Sequence, residues 1–167
     1  RYVGAWVNRG YALMKLKRFR EAVTAYTRAL EIYPRYVSAW INMGIACCEM
    51  GNYKKAIECF REAEEVRPFS NARSQYWKGL ALSHTGKYRD AITILSRVVA
   101  EDPRQVETWI ELSNCHFMVG EIEDSVRCFM VAYGIDKHDI KACLSQAGML
   151  LREGNKEEGL RCLSQAF

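Results

Sequence analysis

The sequence predicts an all-α fold, a right-handed α-solenoid of about five stacked helix-turn-helix units. Three observations predict it. One set of residue types recurs at a spacing of 34 positions, a polar break falls in the middle of every unit, and no segment calls for a β-strand. Self-similarity at a fixed period of this length is the signature of a repeat architecture.

The first unit, residues 3–36, sets the pattern with Trp6, Gly10, Ala22, Tyr26, Ala29 and Pro34. The second, 37–70, repeats it in register at Trp40, Gly44, Ala56, Phe60, Ala63 and Pro68. The third, 72–105, follows one extra residue near Phe69–Asn71 and keeps Gly79, Ala91, Leu95 and Pro103. The fourth, 106–139, runs from Trp109 and Leu112 to Phe129 and Ala132, with Ser113 and Ser125 in the two small places. The fifth, 140–167, is incomplete and fainter, resting on Gly148, Gly159 and Ala166.

Each residue type has a physical reason. Gly10 and Ala22 let the two helices of a hairpin approach, because a larger side chain at either place would hold them apart. Trp6 and Tyr26 are expected to fill the groove between hairpins with a large apolar body and a polar tip. Pro34 has no N–H and clashes with a preceding helical turn, so it ends the second helix and starts the next unit. The breaks at Met50-Gly51-Asn52, Thr85-Gly86-Lys87, Val119-Gly120-Glu121 and Glu153-Gly154-Asn155 carry glycine, suited to the left-handed residue after a helix; the first, Leu16-Lys17-Arg18, does not.

The totals narrow the function classes. The 167 residues are 49% hydrophobic and 26% charged, a globular balance for one domain able to bury a core. A net charge of +4 is too small to argue for nucleic acid or an anionic membrane. No run approaches the roughly 18 apolar residues of a membrane span. The seven cysteines are odd in number, lie within helical patterns and include no Cys-x-x-Cys pair, so we expect buried reduced thiols in a reducing compartment, cytoplasm or nucleus. The chain opens at Arg1 and closes at Phe167 inside a helical pattern, which we read as a fragment of a larger protein.

Catalytic groups do not converge. His84 in the third unit and His116 and His138 at opposite ends of the fourth have no partner at metal or catalytic spacing, so no metal or cofactor is expected. Cys115 and His116 are adjacent, but neighbours on a helix point about 100° apart and cannot pair as nucleophile and base. Phosphate-binding glycine loops and nucleophile elbows are missing. The acidic run Glu62, Glu64, Glu65 reads as a solvated helix end. The basic string Lys15, Lys17, Arg18, Arg20 reads as a solvated turn suiting a helix C-terminus, or else as a contact for an acidic partner or a phosphate backbone. We expect neither an enzyme nor a small-molecule substrate.

Over essentially its full length this pattern resembles the tetratricopeptide repeat family. The resemblance implies that first helices of successive units line a concave groove binding an extended peptide or a partner's helix. It implies a protein-interaction scaffold within a multi-subunit assembly, whose open end stacks on further repeats or another copy. Carried onto this chain, it selects Asn8 and Tyr11, Asn42 and Ile45, Arg73, Tyr76 and Trp77, and Glu111, Asn114 and Phe117 as groove residues. Asn8 and Asn42 stand at one place of successive units, as in relatives whose asparagine ladder holds a peptide main chain. Trp77, Glu111 and Ser145 break that ladder. Tyr76 and Trp77 with Phe117 and Met118 are candidates for an aromatic anchor, or for ordinary packing.

A carboxylate clamp of the chaperone-adaptor kind is disfavoured, because Val7, Tyr11, Ile41 and Ile45 stand where such relatives carry lysine and asparagine. Two other readings follow from the resemblance: a peptide-receptor module like the receptors for peroxisomal enzymes, and a substrate-recruiting superhelix of an enzyme such as a glycosyltransferase. RNA binding, as in the related pentatricopeptide arrays, fits less well because those repeat at 35 residues and generally lack the tryptophan and glycine pair.

Overall fold

The computed structural model describes residues 2–68 and 71–134. The fifth unit, with Gly148, Gly159, Ala166 and the ladder position Ser145, lies outside the described residues, as do His138, Cys143 and Cys162. The described residues form eight α-helices and no strand: α1 (Val3–Lys15), α2 (Phe19–Ile32), α3 (Val37–Glu49), α4 (Tyr53–Val66), α5 (Ala72–His84), α6 (Tyr88–Glu101), α7 (Val106–Val119) and α8 (Ile122–Tyr133). None of them is long and apolar enough to cross a membrane. The chain divides into two compact units, residues 1–98 and 99–167.

In the first unit α1 packs on α2 and α3 on α4, with α2 against α3 and α4 against α5. The glycines explain how closely each pair fits. A methyl group at Gly10 would lie 2.5 Å from Cε1 of Tyr26, one at Gly44 2.9 Å from Cε1 of Phe60, and one at Gly79 2.5 Å from Cδ2 of Leu95. Tyr26 therefore packs against the glycine of the facing helix in its own hairpin, and it also belongs to one core cluster with Ala39 and Met43 of α3. Tyr26, Phe60 and Leu95 are fully buried, as are Ala22, Ala56 and Ala91. Burying a side chain of this size contributes roughly 1.5–3 kcal/mol relative to leaving it exposed.

Trp40 and Trp109 each tie the linker between hairpins to the helix that follows it. Trp40 Nε1 donates to the Pro34 carbonyl at 2.8 Å, and in the second unit Trp109 Nε1 donates to the Pro103 carbonyl at 2.9 Å. α2, α4 and α6 each stop two residues before a proline, because the residue preceding proline is pushed out of helical conformation. The acidic run at the end of α4 does more than face solvent: both Glu64 oxygens accept from Lys78 Nζ on α5 at 2.7 Å, and Arg61 pairs with Glu62 and Glu65.

The turns inside the hairpins share one backbone conformation. Gly51, Gly86 and Gly120 have φ of 72°, 80° and 85°, and Lys17 takes the same role with φ 57°. Glycine has no Cβ to oppose that geometry, whereas lysine is strained by it.

In the second unit α7 packs on α8, with Leu112, Cys115, Val126 and Cys128 buried. The two serines in the small places are buried hydrogen-bond partners. Ser113 Oγ donates to the Ser125 carbonyl at 2.8 Å and lies 3.1 Å from Ser125 Oγ. Cys47, Cys48, Cys59, Cys115 and Cys128 are buried and in no disulfide.

Candidate partner-binding groove

In the first unit the first helices α1, α3 and α5 lie side by side. A cavity of about 450 Å³ opens where they meet, lined among others by Tyr11, Met14, Lys15, Asn42, Ile45, Arg73 and Trp77. A smaller hollow of about 220 Å³ continues it along α3 and α5, sharing Asn42, Ile45 and Arg73. The sequence pattern explains the placement. α1 buries Val7, Gly10 and Leu13 at helical spacing, which leaves Asn8 and Tyr11 turned to solvent. α3, between two hairpins, is buried continuously from Met43 to Cys48 and presents Asn42 half-buried at its edge. The start of α5 is set by Asn71, whose Oδ1 accepts from the backbone N–H of Arg73 at 2.9 Å and of Ser74 at 3.3 Å, so Arg73 stands in the first turn.

Of the residues read from sequence, Tyr11, Asn42, Ile45, Arg73 and Trp77 come together at this cavity. Asn8 is exposed and does not line it, so the asparagine pair is not a pair there. Ile45 is buried, only 3% exposed, and forms apolar floor rather than a projecting contact. Trp77 is half-buried against the core cluster that holds Ile45, Cys48 and Phe60 and stands edge-on to Tyr76, ring centroids 5.6 Å apart; its carbonyl accepts from the Cys48 thiol. Glu111, Asn114 and Phe117 lie on α7 in the second unit: Asn114 is exposed, Glu111 and Phe117 half-buried, and Met118 beside them is exposed.

Several contributors were not singled out as groove residues. Lys15, Lys17, Phe19 and Tyr26 also line the cavity. Lys15 Nζ lies 5.3 Å from the Tyr11 ring centroid, a cation–π contact. Tyr26 is fully buried, yet its hydroxyl has no hydrogen-bond partner. Burial, reinforced by Tyr11 and opposed by Arg73, pushes the phenol up to about 12. The lysines were visible in the sequence as a basic turn. The unpartnered hydroxyl could not be, because it depends on what faces it across the hairpin.

Elsewhere in the first unit a hollow of about 440 Å³ lies over α2, α3 and α4, with Leu30, Trp40 and Met43 in its lining. Part of its charged rim is already paired: Arg61 with Glu62, and Glu31 with Arg28.

The histidines need one correction. His116 does have partners: Nδ1 lies 2.8 Å from Glu121 Oε2, and ligand atoms of His116, Glu121 and Asp124 fall within 4.8 Å of one another. The grouping spans the α7–α8 turn, which is why helical spacing did not reveal it. Asp124 is also engaged by Arg127 at 3.0 Å. His84 stacks on Tyr53, ring centroids 4.2 Å apart.

Two tetratricopeptide repeat family models match the chain, over residues 2–68 and 42–106. No curated protein matches it. Solved structures do. YrrB, a TPR protein with an unusual peptide-binding site, aligns at 20% identity and a TM-score of 0.74, covering 96% of this chain and 82% of its own. MamA from Desulfovibrio magneticus RS-1 aligns at 20% identity and a TM-score of 0.75, covering 98% and 92%. Another MamA structure aligns at 21% identity and a TM-score of 0.70, covering 94% and 91%.

Proposed function

The chain belongs to the tetratricopeptide repeat family, and from that premise we propose that it is a protein-interaction scaffold receiving a partner's segment in the groove of α1, α3 and α5. One observation carries the reading. Three helices from successive hairpins surround a cavity of about 450 Å³ that mixes apolar floor with an amide and charged groups, the composition expected of a recognition site. Tyr11 at its rim is 49% exposed, an aromatic of the kind that anchors interfaces. The peptide-binding site of the structurally similar YrrB is in keeping with this use. The hollow over α2 and α4 is a weaker candidate because much of its charge is internally neutralised.

We assign the chain no catalysis and place it in a reducing compartment, cytoplasm or nucleus, a location supported by five buried cysteines that form no disulfide. In this proposal the five repeats act as a segment of a larger assembly. A photo-crosslinking residue in place of Tyr11 tests the groove. It is expected to capture a discrete protein, capture that Asn42→Ala diminishes. The same residue in place of Arg28, an exposed position on α2, is expected to capture none. Equal capture from both positions would show that the groove is not the binding face.

A further inference from the structure

We propose that His116, Glu121 and Asp124 bind a divalent transition-metal ion of the zinc class at the turn between α7 and α8. The inference is independent of the groove reading, since all three residues belong to the second unit. Their side chains offer ligand atoms within 4.8 Å of one another. His116 Nδ1 and Glu121 Oε2, 2.8 Å apart, are already spaced as neighbouring ligands of one zinc ion, whose bonds of about 2.0–2.2 Å hold such atoms about 3 Å apart. Asp124 closes the remaining distance by rotating its side chain. It now pairs with Arg127 at 3.0 Å, a weak contact because the Arg127 side chain is 71% exposed.

The turn holds the three residues in place. Gly120 takes the left-handed conformation after α7, and the Glu121 N–H donates to the His116 carbonyl at 2.9 Å. The same backbone bond closes the other three hairpin turns described, from Arg18 to Leu13, Asn52 to Cys47 and Lys87 to Leu82. Leu13, Cys47 and Leu82 are buried apolar side chains. The fourth hairpin puts an imidazole in that apolar place, and a carboxylate where arginine, asparagine and lysine stand. Leucine would serve packing better there, because a ring nitrogen drawn out of water has to be bonded. The donor set then selects the ion. One imidazole nitrogen with two carboxylates suits zinc, cobalt or nickel, whereas magnesium and calcium take oxygen ligands. Three protein ligands leave a fourth position for water.

Calorimetric titration of the whole, untagged, reduced chain with zinc chloride, and separately with magnesium chloride, tests this. Zinc is expected to bind at micromolar concentration and magnesium to leave its binding unchanged. His116→Leu, Glu121→Gln and Asp124→Asn are each expected to weaken zinc at least about tenfold, since even groups behind the ligands contribute that much. Arg127→Ala, which releases Asp124, is expected to strengthen it. His116→Leu installs the residue that the first and third hairpins carry, so its melting temperature without metal is expected to hold. Zinc taken up by cysteines instead would ignore all three ligand variants. That result, or the absence of zinc binding, or full zinc affinity in any one of the three variants, overturns the inference and leaves the groove reading standing.

Discussion

Gly10→Ala places a methyl group against the ring of Tyr26, at 2.5 Å from Cε1, 2.7 Å from Cζ and 2.8 Å from Cδ1. Ordinary carbon–carbon contact is about 3.5–4.0 Å, so ring and helix must separate by about 1 Å. A fully enclosed ring cannot swing aside. Three contacts this short put the overpacking at the upper end of its range, about 2–3 kcal/mol. Alanine's better helix propensity offsets about 0.8–1.0 kcal/mol of that, leaving a net loss of about 1–2 kcal/mol. The same helix carries its own control: Gly4 has nothing within 4 Å of an added methyl, so Gly4→Ala is expected to be neutral or stabilising by up to about 1 kcal/mol. At about 2–4 °C per kcal/mol for a chain of this size, the two variants are expected to melt about 2–12 °C apart. Thermal melts followed by far-ultraviolet circular dichroism measure this. A Gly10→Ala protein melting at or above the parent temperature would refute the close approach of α1 to Tyr26. Adding Tyr26→Leu is expected to give a less-than-additive loss, because the smaller side chain relieves the clash with the methyl introduced on α1.

Lys17→Gly relieves a left-handed lysine and is expected to stabilise the chain by about 1 kcal/mol, read as a higher melting temperature. Lys78 and Glu64 are partly buried, so Lys78→Met and Glu64→Gln are each expected to destabilise by about 1 kcal/mol; a double-mutant cycle measures their coupling, and none would make the pair ornamental. Alkaline titration has a definite sign. Burial pushes Cys48 up to about 12, Cys128 to about 11 and Tyr26 to about 12. The folded chain therefore keeps protons that the unfolded chain releases above about pH 9, and stability, full below that point, falls as pH rises toward 12. Denaturant midpoints across pH 8–12 are expected to show this decline, and Cys48→Ala to flatten it.

What the sequence determined by itself is local and periodic. Helix-ending prolines, left-handed glycines and the small residue facing an aromatic recur at one spacing, and each acts through its nearest turn or the helix it faces. Among the described residues the hairpins and their turns were therefore legible at residue level, including the five thiols read as buried hydrophobes. Ser113 and Ser125 were placed in the small positions, but only packing made them a hydrogen-bonded pair, since that depends on two helices coming into contact. The groove divides the same way. Asn8 and Asn42 are equivalent by spacing, yet Asn42 lines the cavity and Asn8 does not, because α3 lies against both α1 and α5 where the cavity opens. Ile45 belongs to the core because α5 closes over α3. The link between Glu64 and Lys78, the His116 grouping across a turn and the unpartnered hydroxyl of Tyr26 all join residues that no helical period brings together. Periodicity says which face a side chain takes; only the packing of helix against helix says what it meets there.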